Sequence, residues 1–461
     1  MYLADRGPTA ATAPADADQG RTDRAAQPGR ALRAIPATVL ALGTVSLITD
    51  VSSEMVTAVL PLYVVAGLGL SPLGFGVLDG VYNGVSGLVR LFGGHLADRG
   101  RRHKAVAVIG YGLSALCKPL LLIVHTLPLI SGVLALDRTG KGIRTAPRDA
   151  MISLASTPEN RGRAFGVHRA MDTGGALLGP IVAFLVLGAA TDGYDAVFTV
   201  SFCIAALGVL VLVLFVPGGR APAAGSMGTA SVADAGGARG SDGAAAGTSA
   251  PGGDEVSGGA AAGSPAVTLR SAVALLRIPD VRRLTVTATL LGLTTVSDAF
   301  VYLMLQHRLG ISERLFPLLP LGTAFFFLVL AMPLGVLADR VGRRRVFLGG
   351  HVALLLAYGL LLMPLHGDVL PFVVLALHGT FYAATDGVLP AAAAGAVPAE
   401  LRASGLALIG TGQALARFCC SIAFGAMWTV IGDQAVLGIA MAGLALCAGW
   451  AAYALRGPET A

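Results

Sequence analysis

"LDRTGKGIRTAPRDAM", residues 136–151, sets four strongly basic side chains and two aspartates among sixteen positions, directly after the apolar run "LPLISGVLA". An extramembrane loop, a phosphate-binding loop and an intramembrane helix would each account for these charges, and each gives a different fold. A Walker loop needs Gly, four residues, then Gly-Lys-Ser/Thr. Here Gly142 follows Gly140-Lys141, Ala135 stands in place of the first glycine, and no strand precedes. The helix reading gives the charges an order. Asp137, Lys141, Arg144 and Arg148 are 4, 3 and 4 residues apart and share one helical face. A charge near the bilayer centre costs about 2.5–3.5 kcal/mol on insertion scales. Such a face is expected to meet a watery cavity or opposite charges.

The whole chain supports a membrane setting. Of 461 residues, 54% are hydrophobic and only 13% charged, about half the charge of an ordinary soluble protein. Mean hydropathy is +0.73. Twelve segments are long and apolar enough to be read as spans: 37–66, 73–96, 104–125, 127–153, 163–188, 194–217, 283–306, 315–337, 345–365, 369–394, 402–430 and 434–456. The charged stretch must cross with 127–153, or every later loop changes sides. The expected fold is all-α and integral to the membrane, with twelve transmembrane helices in two six-helix bundles.

Residues 218–267 are mostly Gly, Ala, Ser and Pro and cannot bury a core, so they read as a flexible linker between bundles at 37–217 and 268–456. "LRSAVALLRIPDVRRL" (269–284) reads as a short amphipathic helix leading the second bundle. Residues 1–36 and 457–461 read as tails, and 1–36 lack the apolar core of a leader. Lys and Arg gather in "DRGRRHK", "PENRGR", "DRVGRRR", "AELRA" and the linker with its exit, while the opposite loops hold few, Arg308 and Arg314 being the exception. The bias predicts cytoplasmic linker and termini, in the inner (plasma) membrane of a bacterial-type cell. The net charge of +6 is then topology and not a nucleic-acid footprint. The five cysteines lie in apolar segments without a CxxC pattern, and are expected to be buried inert thiols with neither metal nor disulfide.

The halves echo each other. "GGHLADRGRRHK" (93–104) follows the second span and "LGVLADRVGRRR" (334–345) the eighth, while "TDVSSEM" in the first span matches "TTVSDAF" in the seventh. Internal duplication at half the chain length reads as two related bundles. With these residues in place the chain resembles the major facilitator superfamily. The resemblance implies a conformational latch at Gly94, Asp98, Arg99 and Arg101, one residue short of the pattern, and at Gly335, Asp339, Arg340, Gly342 and Arg343, where it is complete. Arg138-Thr-Gly-Lys-Gly142 resembles the fourth-helix pattern whose arginine is linked to proton coupling. "GGALLGP" (174–180) partly resembles the fifth-helix motif of antiporters, through Gly175, Gly179 and Pro180. Together, "LITDVSSEM" and the opening stretch resemble a prokaryotic branch of poorly defined substrate.

Counter-charges for the fourth span are available. Asp50 and Glu54 share a face of the first span. Asp79 and Arg90 lie in the second, Lys118 in the third, and His168, Arg169 and Asp172 in the fifth. The second half offers Asp298, Tyr302, Tyr382, Asp386, Gln413 and Arg417. A carboxylate in a partly dry cavity can take up and release a proton, so Asp50 or Glu54, with Arg138, is the expected coupling group. Either a static ion network or a substrate site accounts for the rest. The expected function is secondary transport of a small molecule by alternating access, as proton-coupled export by a monomer. The alternatives are proton symport of an organic anion or zwitterion, and a non-transporting sensor or scaffold. HExxH, GxSxG and ATPase motifs are absent, so no enzyme and no cofactor is expected.

Overall fold

The computed structural model describes residues 35–98, 103–157, 160–217, 275–365, 367–386 and 402–454, without the side chains of 86–88, 90–98, 146, 280 and 402–407. The tail before Ile35, the linker 218–267 and the end 457–461 lie outside the described residues. Among those described, all regular structure is helical. The first half comprises α1 (Ala37–Leu62), α2 (Pro72–Asp98), α3 (His103–Ile123), α4 (Leu127–Ala155), α5 (Arg161–Ala189) and α6 (Gly193–Phe215). The second comprises α7 (Pro279–Thr294), α8 (Asp298–Leu309), α9 (Leu318–Val341), α10 (Arg343–Leu362), α11 (Leu370–Thr385), α12 (Arg402–Ile431) and α13 (Asp433–Ala454). With α7 and α8 as one crossing, these are the twelve expected spans.

Nine crossings among the described residues are long and apolar enough by themselves to traverse a bilayer. The others are α2 and α4, diluted by glycine and polar groups, and α11, sixteen residues in its described part. Large apolar side chains point outward along the helices, including Ile109, Leu116, Ile123, Met332 and Leu446. That is the inverse of a water-facing surface. Cys117 and Cys420 are buried, but Cys203 and Cys419 are on the outside, contrary to the expected burial. A thiol on a lipid-facing stripe is as well solvated as one in the core.

The seventh span breaks where a continuous helix is expected. Thr295 and Ser297 are extended, between α7 and α8. Thr294, Thr295 and Val296 are β-branched, and Ser297-Asp298 is a helix-starting pair. The freed Val296 amide donates to the Tyr358 hydroxyl at 2.9 Å. The matching "TDVSSEM" of α1 stays helical, so the internal repeat diverges here. In the described part of 269–284 the chain makes a 3-10 turn, Leu275–Arg277, and Pro279 then opens α7 directly.

Within the first half, α1 packs against α5 and α6, and α4 against α2 and α3; in the second, α11 packs against α9 and α10, and α12 against α7. The halves meet along α2 and α12. Gly76, Gly80 and Gly84, four residues apart, form the α2 side of that contact. A β-carbon on Gly76 would collide with the Ser421 carbonyl, and one on Gly425 with the Pro72 carbonyl. Further contacts join the halves at the end away from the linker: Leu73 N–H to Thr429 Oγ1 at 3.1 Å and Tyr194 OH to Glu313 Oε2 at 2.9 Å. Gly76→Val is expected to destabilise the protein by about 1–3 kcal/mol through overpacking. Gly112→Ala, with open space at its β-position, serves as the neutral control. Thermal unfolding in detergent checks both.

Candidate functional site

The charges of α4 are placed by glycines. Gly110 of α3 and Gly140 of α4 cross so closely that a β-carbon on either would press on the other's carbonyl. This crossing brings Ser114 and Lys118 against Asp137. Asp137 Oδ1 accepts from Ser114 Oγ and Lys118 Nζ, each at 2.5 Å. Its Oδ2 accepts from Arg138 Nε at 3.1 Å and Nη2 at 2.5 Å. Arg138 Nη1 donates to the Tyr82 hydroxyl at 3.0 Å, and the guanidinium stacks 4.2 Å over the Tyr82 ring. All three charges are buried. Two cations thus share one carboxylate beside a small cavity that Lys118, Arg138, Tyr82, Ser53 and Thr57 help to line.

One to three turns further along α4 lies a second cluster. Arg144 Nη2 donates to Asp50 Oδ1 at 3.2 Å, and its guanidinium sits 4.2 Å over Tyr111. Lys141 Nζ stands between two carboxylates, 3.9 Å from Asp50 and 3.8 Å from Glu54. Arg148 Nε donates to Asp149 at 3.0 Å, Nη1 approaches Asp172 at 3.7 Å, and Nη1 reaches Ser46 Oγ at 3.4 Å. Ser46 Oγ is 3.0 Å from His168 Nε2. Asp50 and Asp172 thus flank one basic cluster, Arg144 and Lys141 standing on Asp50 and Arg148 on Asp172.

The α5 glycines make that meeting possible. A β-carbon on Gly175 would collide with the Leu47 carbonyl, and one on Gly179 would press on Val51 O and Glu54 Cβ. The motif therefore seats α5 on the turns of α1 that carry Asp50 and Glu54. The helical face expected from 4-3-4 spacing is real but divided: Asp137 turns to α3, while Lys141, Arg144 and Arg148 serve α1 and α5.

The second half holds a smaller cluster at the helix break. Asp298, first residue of α8, accepts a hydrogen bond from Tyr382 and lies 3.4 Å from His378 Nε2. Tyr302 is buried edge-on to the His378 ring. Arg417 is within electrostatic range of Tyr382, Asp298, Asp386 and Asp79. Gln413 is half-buried on α12 beside Gly292. Asp79 bridges the halves, accepting from Ser297 Oγ at 2.9 Å and Ser421 Oγ at 2.5 Å.

At the head of α10, Gly342 has φ 101°, a conformation suited to glycine, and joins α9 to α10. Asp339 approaches Arg343 at 3.7 Å, both exposed, and Arg344 donates to the Ala452 carbonyl. Arg340 is exposed. The side chains of Arg90 and Asp98, and all of Arg99 and Arg101, lie outside the described residues, as does anything about Gly94 beyond its place in α2. Sequence reasoning did not single out Tyr82, Tyr111, Ser46, Ser114, Ser297, Ser421 or His378. Ser114 could have been found, because it stands four residues before Lys118 on one helical face.

The chain matches the family model of the Major Facilitator Superfamily over residues 42–321 and 284–461. It is 25% identical over 416 residues to an uncharacterized MFS-type transporter of Methanocaldococcus jannaschii, covering 88% of this chain and 92% of that one. A Mycobacterium tuberculosis protein, also uncharacterized, is 36% identical over 184 residues, 40% of this chain and 41% of that one. Among solved structures, the nucleoside transporter NupG superposes with a TM-score of 0.70 at 14% identity, over 91% of this chain and 99% of that one. A bacterial homolog of the human lysosomal transporter Spinster does so with 0.67 at 14% identity, over 94% and 98%. Those likenesses carry the fold. The chain belongs to the major facilitator superfamily and is a multi-pass membrane transporter of that type.

Proposed function

We propose that the protein is a proton-coupled exporter, an antiporter whose proton is shared by Asp50 and Asp172. The observation that carries this reading is the gathering of those two carboxyls around one set of cations where α5 packs on α1. Two carboxyl groups can hydrogen-bond only if one holds a proton, and their mutual repulsion favours taking one up. Proton binding would withdraw negative charge from Arg144, Lys141 and Arg148, loosening α4 from α1 and α5. Release would draw them together again. Arg138, locked by Asp137 and Tyr82, holds the next turn of α4 in place while this occurs. Export is favoured by the antiporter-like glycines, which press α5 onto the turns carrying Asp50 and Glu54.

The working unit in this reading is a monomer in the inner membrane, with both termini and the linker cytoplasmic. The basic loops support that orientation. Proton flux in inverted vesicles tests it. An imposed pH gradient is challenged with a panel of drugs, organic anions and sugars. Compound-dependent collapse of the gradient, lost in Asp50→Asn, is expected; proton-independent flux overturns the coupling.

A second reading has its own observation. Lys118 and Arg138 share a single carboxylate, so the nearby cavity has an excess of positive charge. That favours proton symport of an organic anion or zwitterion. Proton-dependent accumulation in right-side-out vesicles, without proton-driven release, would select it.

A further inference from the structure

His378 stands apart from both α4 clusters. Its side chain is wholly buried, yet neither ring nitrogen has a hydrogen-bond partner among the described residues. Rings of Tyr302, Phe381 and Tyr382 surround it. Nε2 lies 3.4 Å from Asp298 Oδ1, near enough for an ion pair. The Asp298 side chain is 40% exposed and also accepts the Tyr382 hydroxyl. With its one proton on Nδ1, a neutral imidazole sets the Nε2 lone pair against the carboxylate, and neither can bond the other. One proton on Nε2 converts that contact into a charge-assisted pair.

We propose that His378 and Asp298 form a second proton-binding site, in the C-terminal half and separate from the carboxyl pair of α1 and α5. The proton arrives from water at the Asp298 carboxylate and passes to Nε2. No other bond is broken, and it leaves by the same route. The bound proton ties α8 to α11. Ser297, adjacent to Asp298, hydrogen-bonds Asp79 of the other half, so occupancy of the site is felt at the seam between halves. The other charged groups in reach of Asp298 are Arg417 on α12 and Asp79 on α2, while Asp386, just past the end of α11, faces Arg417. On α10, Tyr358 is engaged by the Val296 amide and His351 by the Phe347 carbonyl, so neither competes for His378.

The test is a pH titration of histidine resonances by nitrogen-15 NMR, on the full chain in lipid nanodiscs. The eight histidines are resolved by difference, with His378→Gln removing one resonance, or His378→Asn if the first variant does not reach the membrane. The His378 resonance is expected to move from its neutral toward its protonated position as the pH is lowered through and below the range where a free imidazole switches, down to about pH 4. In Asp298→Asn it is expected to stay neutral throughout. In Asp50→Asn it is expected to titrate as before, which separates this site from the coupling proposed for the first half. A His378 resonance that stays put in the unaltered chain, or titrates equally in Asp298→Asn, overturns the proposal.

Discussion

Asp137→Leu is expected to cost about 3–5 kcal/mol of stability, because it strips a buried pair of cations of their shared anion. Lys118 and Arg138 are only 3% and 7% exposed, and Asp137 uses both oxygens to hold them. Without it, two positive charges face each other across the α3–α4 crossing in a medium that solvates neither. The reverse change should be mild. In Lys118→Met the carboxylate keeps Ser114 on Oδ1 and both Arg138 donors on Oδ2. Adding Lys118→Met to Asp137→Leu should therefore recover part of the loss, since Arg138 alone still has Tyr82. Thermal unfolding of the three purified variants, with membrane accumulation as a second readout, checks the asymmetry. Equal loss from Lys118→Met and Asp137→Leu would show that the pair, and not the excess charge, decides stability.

The second large effect is expected at Asp50. Asp50→Asn removes the anion that Arg144 contacts at 3.2 Å and Lys141 approaches at 3.9 Å, and it leaves Asp172 as the single carboxyl of the proposed pair. Proton-coupled flux should fall to the level of vesicles lacking the protein. Glu54 differs in exposure: its side chain is 27% exposed and stands 3.8 Å from Lys141, itself 35% exposed. An ion pair of that kind is worth up to about 1 kcal/mol, so Glu54→Gln should slow flux by roughly 2–5-fold. Flux measured at fixed protein level in both variants separates the roles. A Glu54→Gln variant as dead as Asp50→Asn would move the proton site to Glu54.

Much of this arrangement is legible in the sequence because charges in an apolar chain have few places to go. The i, i+4 pairing of Asp50 with Glu54 and the 4-3-4 spacing in α4 put opposite charges on shared helical faces as candidate partners without any knowledge of packing. The repeat of Gly-x-Leu-Ala-Asp-Arg announces two bundles. What spacing cannot give is which neighbour each face meets. Asp137 belongs to the same stripe as Arg144, yet the Gly110–Gly140 crossing turns it toward Lys118 of α3. The break at Thr295–Ser297 is hidden inside an apolar run that reads as one span, and only β-branching and the Ser-Asp pair hint at it. His378 escaped notice because an isolated histidine in an apolar helix carries no periodic signal. Its meaning comes from Asp298, eighty residues earlier in the chain, facing it.

The shared proton of Asp50 and Asp172 is tested most directly by infrared difference spectroscopy of the protein in nanodiscs, between about pH 5 and about pH 9, either side of the range where such a pair exchanges its proton. A protonated-carboxyl band is predicted that shifts or disappears in Asp50→Asn and, independently, in Asp172→Asn. A band unaffected by either substitution would contradict the account.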